Sequence, residues 1–324
     1  MDIDRRKTNV AALSVACNVF LIVFKVAVGA LSGSVSIISE AAHSGVDLMA
    51  AIIALLAVRA ASVPPDPQHP YGHGKWENMS GAIEALLIFV AAIWIIYEAV
   101  LKFIHPQPMD NLGWGVAVML VSALANAWIA ARLFRVAQEG RSMALQADAW
   151  HHWTDVYTSA GVMAGLAVML AGQRFWPSLD LRWIDPVAAI LVSLLILRAA
   201  YKLTLQAIRD LLDVSLPQEE QDWIRQMIST HYPMVCDIHG LRTRRSGAAR
   251  FVELHIVVYR GMSLKDSHAL AHNIANSIKQ RLDGASVIAH VEPCDGRCGR
   301  PCDRMPPRTA TPQAPSPSVL NAET

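Results

Sequence analysis

Glu40-Ala-Ala-His43-Ser-Gly-Val-Asp47 and Asp148-Ala-Trp-His151-His-Trp-Thr-Asp155 carry the same figure, a histidine four residues before an aspartate, each inside a strongly apolar run. An ionisable side chain near a bilayer midplane costs at least ~2.5–3.5 kcal/mol, so residues of this kind are rare there and usually functional. Positions four apart on a helix share one face, one turn above the other. Two such helices side by side bring two imidazoles and two carboxylates together, a donor set that suits zinc.

Outward from these segments, six runs approach the roughly 20 apolar residues that a spanning helix needs. They are about Val10–Leu31, Val35–Val58, Met79–Leu101, Leu112–Leu133, Met143–Gly172 and Ile184–Leu205. The composition agrees: of 324 residues 53% are hydrophobic and 17% charged, with a mean hydropathy of +0.31, which is the membrane class. A net charge of +1 gives no reason to expect a nucleic-acid partner. Cys17 lies in the first run, and Cys236, Cys294, Cys298 and Cys302 lie in the C-terminal portion, which is no secreted disulfide framework. The first run exceeds the roughly 7–15 residues of a signal-peptide core, so no cleavable leader is expected.

Basic residues orient the spans. Arg5, Arg6 and Lys7 precede the first, Arg59 and Lys75 separate the second from the third, and Arg132, Arg135 and Arg141 flank the junction of the fourth and fifth. The alternate connections hold only Lys102, Arg174 and Arg182. Both termini are expected to be cytoplasmic, in a multi-pass protein of the cell inner membrane. Trp114, Trp176 and Trp183 fall at the predicted outer boundary, where indoles favour the headgroups. Spans two and five then run antiparallel. Asp47 and Asp155 each lie about twelve residues from opposite ends, which at ~1.5 Å per residue is one common depth. The recurrence of the figure three spans later is a faint inverted repeat.

Hydropathy collapses after Leu212. A helix from Leu216-Pro217-Gln218-Glu219 to about Thr230, strands at Ile238–Arg245 and Phe251–Tyr259 around a Ser246-Gly247 turn, a helix capped by Ser263-Leu-Lys-Asp266 and running to about Leu282, and a last strand at Ala285–Val291 make an α-β-β-α-β order. That order suits a small open-faced α+β sandwich. Strand alternation puts His290 and Glu292 on one face, and Phe251, Glu253, His255 and Val257 on one face of the neighbouring strand. His268 leads the following helix, and His272 shares its face. The expected division is a cytoplasmic N-terminus over 1–9, a transporter domain over 10–212, a metal-binding domain over 213–292 and a Pro/Ser/Thr/Ala-rich disordered tail over 293–324.

These residues, with the connection Asp66-Pro-Gln-His69-Pro-Tyr-Gly-His73-Gly-Lys75-Trp-Glu77 and the run His239-Gly-Leu-Arg-Thr-Arg, resemble the cation diffusion facilitator family over roughly residues 8–292, in particular its bacterial zinc/ferrous-iron efflux branch. The resemblance implies a homodimer that exports divalent metal in exchange for protons, with six spans and a cytoplasmic ferredoxin-like domain. It implies a transport site of His43, Asp47, His151 and Asp155. It also implies a loop site of Asp66, His69 and His73, and a cytoplasmic site of His239, His255, His268, His290 and Glu292. Lys75 and Asp213 match an ion pair that holds the dimer's membrane halves. Two departures stand out. His43 replaces the Asp common in the bacterial branch, as in zinc-selective eukaryotic members, and Glu292 replaces an Asp. On this reading Zn²⁺ is substrate and regulatory ligand, and protons are the coupling ion. Fe²⁺, Co²⁺, Ni²⁺ or Cd²⁺ is the alternative cargo, and a metal sensor or scaffold that moves nothing is the alternative class.

Blander readings bear on each site. The transport residues are also a hydrogen-bonded helix interface, the loop residues an ordinary polar turn among prolines, and His152 points ~100° away from His151 round the helix. Lys25, Glu40 and Glu84 are further ionisable residues within spans, with snorkelling or pairing open to Lys25. Arg242, Arg244, Arg245 and Arg250 suit anionic lipid or a solvated hairpin face. Cys294, Cys298 and Cys302 suit a thiophilic metal in a flexible tail, or free thiols. An intramembrane metalloprotease requires His-Glu-x-x-His on one helix, which is absent. An enzyme is therefore not expected.

Overall fold

The computed structural model describes residues 3–32, 35–104, 112–175, 183–282 and 284–296. The chain divides into two compact units, one up to Leu211 and one from Leu212.

The first unit is a bundle of α1 (Ile3–Ser32), α2 (Val35–Ala61), α3 (Lys75–Ile104), α4 (Leu112–Gly140), α5 (Met143–Phe175) and α6 (Ile184–Leu211). Ile3–Leu31, His43–Ala61, Lys75–Leu101, Val116–Gly140 and Pro186–Leu211 are long and apolar enough among the described residues to cross a membrane. The expected span in α5 has ample length at 33 residues, and the side chains of 165–175 lie outside the described residues. Asp148, His151, His152 and Asp155 fall in its first half. Those groups are tolerated because α5 packs against α2, α3, α4 and α6. Phe20, Leu56, Leu86, Trp94, Leu124 and Leu195 lie exposed on the bundle's outside, the apolar coat that lipid requires.

Several helices outrun the expected spans: α1 starts at Ile3, α4 reaches Gly140 and α6 reaches Leu211. Hydropathy marks the hydrocarbon limits, whereas the backbone hydrogen bonds continue past them. Small residues bring the helices together. One apolar cluster joins Ala11, Ile129, Leu133, Ala144, Leu145 and Ala149, and another joins Ala85, Ile88, Ala92, Ile196, Ala200 and Ala207. Without a hydrophobic force between helices in lipid, close van der Waals packing of this kind holds them. A Cβ on Gly81 would come 2.7 Å from Met143 Cγ, so α3 and α5 touch there only because glycine has none. Trp183 is exposed. The side chain of Trp114, and Trp176 as a whole, lie outside the described residues.

The second unit comprises α7 (Gln218–His231), β1 (Val235–Ser246), β2 (Ala249–Val258), α8 (Leu264–Arg281) and β3 (Ala285–Pro293). The sheet order is β1-β2-β3, antiparallel then parallel. Burial alternates along β2. Val252, Leu254, Ile256 and Val258 pack under Ile224 and Ile228 of α7 and Ile274 and Ile278 of α8, while Glu253 and His255 take the open face. Ser263 caps α8 by accepting from the Asp266 amide, as its sequence predicts. The basic hairpin is less solvated than expected. Arg250 is buried and donates from Nε and Nη2 to Glu220 at 2.9 and 2.8 Å. Arg244 lies over the Phe251 ring and bonds Asp213. Cys294 likewise belongs to the domain, not to a flexible tail. It is buried, its amide donates to the Val258 carbonyl, and its own carbonyl accepts from Arg260. Cys298 and Cys302 lie outside the described residues.

Candidate metal centres

Antiparallel α2 and α5 meet where the depth argument places them. His151 Nε2 donates to Asp47 Oδ1 at 3.1 Å, and ligand atoms of Asp47, His151 and Asp155 all lie within 4.8 Å of one another. His43 stands apart from that group. It sits one turn before Asp47 and lines a cavity of ≈ 290 Å³ together with Asp47, Asp155, Lys25 and Glu40. The four-ligand cage expected from sequence is therefore a three-residue group with His43 beside it. Spacing fixes a shared helix face, but not the rotamer that decides coordination.

The cavity is one-sided. Its walls come from the end of α1, the start of α2, the later part of α3, the first half of α4, the middle of α5 and the start of α6. In an up-and-down bundle these belong to the end bearing the α1–α2, α3–α4 and α5–α6 connections. At the opposite end, Lys7 Nζ and Glu77 Oε1 form a buried ion pair at 3.0 Å. Between that pair and the three-residue group lie Glu84 and Asp148, each buried, with Glu84 Oε2 and both Asp148 oxygens lacking a hydrogen-bond partner.

His152 is no ligand, as its direction predicts, but it is not idle. It is fully buried, with Ser14 Oγ 2.9 Å from Nε2 and Asn126 Oδ1 3.0 Å from Nδ1. Asn126 in turn donates from Nδ2 to Asp155 Oδ2 at 3.3 Å. An amide oxygen only accepts, so His152 Nδ1 must donate, which leaves Nε2 of the neutral ring to accept from Ser14. The chain Ser14–His152–Asn126–Asp155 thus aims Asp155 from behind, a positioning role common around metal sites. Sequence reasoning passed over it. The usable signal was that polar residues in apolar spans face the bundle interior.

The connection 62–74 is folded around Asp66. Asp66 Oδ1 accepts from the amides of His69 and Gln68 at 2.6 and 2.8 Å. The His69 amide bond, first of all, holds the Asp66 carboxyl below its usual range. His73 Nε2 lies 3.4 Å from Asp66 Oδ2, and the His69 and His73 rings are 4.4 Å apart. His73 Nδ1 donates to the Val63 carbonyl at 3.2 Å, which leaves Nε2 as the coordinating nitrogen. Asp66, His69 and His73 offer ligand atoms within 4.8 Å of one another.

On the open face of the sheet, His239, His255 and His290 occupy one register row across β1, β2 and β3. Glu292, one step beyond, reaches back to bridge them. Its Oε1 accepts from His255 Nδ1 at 2.7 Å, its Oε2 lies 3.2 Å from His239 Nε2, and Oε1 lies 3.7 Å from His290 Nε2. The extra methylene of Glu over Asp gives this reach. His239, His255 and Glu292 form a possible metal group. His268 does not join it. It is exposed on α8, which packs on the opposite face of the sheet, and its ring neighbours His272 at 6.5 Å. Lys75 Nζ donates to the Leu211 carbonyl at 3.4 Å.

Comparison with known proteins covers both units of the chain. Residues 11–212 match the profile of the cation efflux transmembrane domain, and residues 216–294 that of the cation efflux protein cytoplasmic domain. An uncharacterized transporter of Synechocystis is 33% identical over 298 residues, 92% of this chain and 94% of its own. The cation-efflux pump FieF of Escherichia fergusonii is 30% identical over 290 residues, 90% of this chain and 94% of its own. That of Serratia proteamaculans is 30% identical over 297 residues, 90% and 96%. Among solved structures, CzrB in its Zn form is 31% identical, with a TM-score of 0.25 over 26% of this chain and 97% of its own.

Proposed function

The chain belongs to the cation efflux family, a family of membrane transporters, and from that premise we propose that it exports Zn²⁺ from the cytoplasm in exchange for protons. One observation carries the reading: Asp47, His151 and Asp155 converge from two antiparallel helices beside a one-sided cavity. Two carboxylates and an imidazole offer a dication charge balance and the mixed O/N donors that zinc accepts. A metal needs the imidazole nitrogen unprotonated and the carboxylates ionised, so metal and protons compete for the same atoms. His151 now spends its Nε2 proton on Asp47, and metal binding must displace it.

Under the charge-derived orientation, the cavity end faces away from the cytoplasm, so this is the releasing arrangement. Opening the Lys7–Glu77 end would expose the same ligands to cytoplasmic metal. A swing of His43 from the cavity wall supplies the fourth ligand and favours zinc. Asp66, His69 and His73 act as a weak loading site on the cytoplasmic side. The His239–His255–Glu292 group, with His290 beside it, senses metal in a homodimer in which Lys75 and Asp213 pair.

Flux into vesicles of Zn²⁺, Fe²⁺, Co²⁺, Ni²⁺ and Cd²⁺, each with and without an imposed pH difference, tests the reading. Zn²⁺ flux should dominate and respond to the gradient. Asp155→Ala should abolish flux while the purified protein keeps its helical content. Undiminished zinc flux in that variant rejects the site, and flux indifferent to the gradient rejects proton exchange.

A further inference from the structure

Lys25 lies on the wall of the cavity, and the transport reading gives it no task. It is buried, at 7% exposure. Its ammonium lies 2.8 Å from Ser44 Oγ and 3.2 Å from Glu40 Oε2. Ser44 is three residues, ~4.5 Å of helix rise, before Asp47. The ammonium lines the same cavity as Asp47 and Asp155. Glu40, with half its side chain exposed, faces the same cavity as His43.

We propose that Lys25 is a tethered competitor for the transport carboxylates, promoting release of the dication into the cavity, and that Glu40 is the clamp that holds it back.

A lysine on a flexible four-carbon stem, anchored one turn above Asp47, is positioned to take over that carboxylate as the metal leaves. No diffusing cation has to arrive first. The Glu40 carboxylate and Ser44 hydroxyl keep the ammonium parked while the metal is bound. The dication therefore sits in a positive field that shortens its stay, and its strength depends on how firmly Glu40 holds the ammonium. The inference rests on the transport reading above, since it concerns release from that site.

The test is zinc flux in vesicles holding the full-length chain, with Lys25→Gln, Glu40→Gln and the double variant beside the unaltered protein. Lys25→Gln should lower the half-saturating zinc concentration and the turnover together, each about tenfold, equivalent to ~1.4 kcal/mol. Glu40→Gln frees the ammonium and should raise the half-saturating concentration by a similar factor. The double variant should behave like Lys25→Gln alone, because with no ammonium there is nothing for Glu40 to restrain. Additive effects in the double variant would overturn the clamp. Effects of one sign in both single variants, or a turnover loss at constant half-saturation, would overturn the competitor. An unaltered protein that moves no divalent metal defeats the transport reading itself, and the inference with it. Normal flux in the unaltered protein and in all variants defeats this inference alone.

Discussion

Asp155 shows how much of a candidate metal site lies in residues that would never touch the metal. Its oxygen is held by Asn126, which is held by His152, which is held by Ser14. Asn126→Leu removes the donor to Asp155 and orphans His152 Nδ1. Zinc affinity should fall about 10–100-fold, and bundle stability by ~1–3 kcal/mol, read from flux saturation and thermal unfolding. Gly240 makes a different residue-scale point. Its φ is +62°, and an added Cβ would lie 3.2 Å from His255 Cδ2. Gly240→Val should cost the cytoplasmic domain ~1–3 kcal/mol and disturb the histidine row, which zinc titration of that domain would report. At Asp66 the sign of the pH effect follows from its depressed carboxyl. A group whose pKa falls on folding stabilises above its unfolded value of roughly 3.9 and loses that contribution as pH drops through the folded one. Loop order should therefore hold through mild acid and fail only below about pH 4, visible as loss of the Asp66–His69 contact in NMR spectra. The candidate ligands that the structure brings together, Asp47, His151 and Asp155, were legible in the sequence. The support behind them was not, because hydrogen bonds between distant spans leave no local spacing.

At the scale of elements, periodicity read well and register did not. The α-β-β-α-β order, the Ser263 cap and the alternation of β2 follow from local pattern, and the structure repeats them. The alignment of His239, His255 and His290 in one row depends on the irregularity between His239 and Arg242 and on the parallel β2–β3 pairing. Neither is written in any single segment. His268, included through the resemblance, stands outside that row in this chain because the apolar face of α8 packs on the other side of the sheet. Ser263→Ala should cost α8 about 0.5–2 kcal/mol without altering zinc binding to the histidine row, a separation that calorimetry on the full chain can check. In the bundle, α2 and α5 were placed by counting residues to a common depth. That succeeded because rise per residue is fixed by backbone geometry, whatever the side chains do.

For the molecule as a whole, two units each hold a candidate metal group of different chemistry. Removing residues 213–324 should raise the half-saturating zinc concentration more than it lowers maximal flux, if the sheet's histidines set sensitivity while the bundle does the carrying. Vesicle assays on the truncated and complete chains decide this, and equal half-saturation in both would remove the sensing role. The bundle's closed end has a consequence for turnover. Lys7, Glu77, Glu84 and Asp148 are buried there, and Glu84 Oε2 and both Asp148 oxygens lack a hydrogen-bond partner, although Asp148 Oδ1 lies 3.7 Å from His152 Nε2. Buried polar groups without a full set of partners carry a desolvation cost, and the first waters to enter would begin to relieve it. Apolar packing holds that end together against this cost, so if the bundle carries metal as proposed, a modest free-energy difference supplied by the cargo would open it.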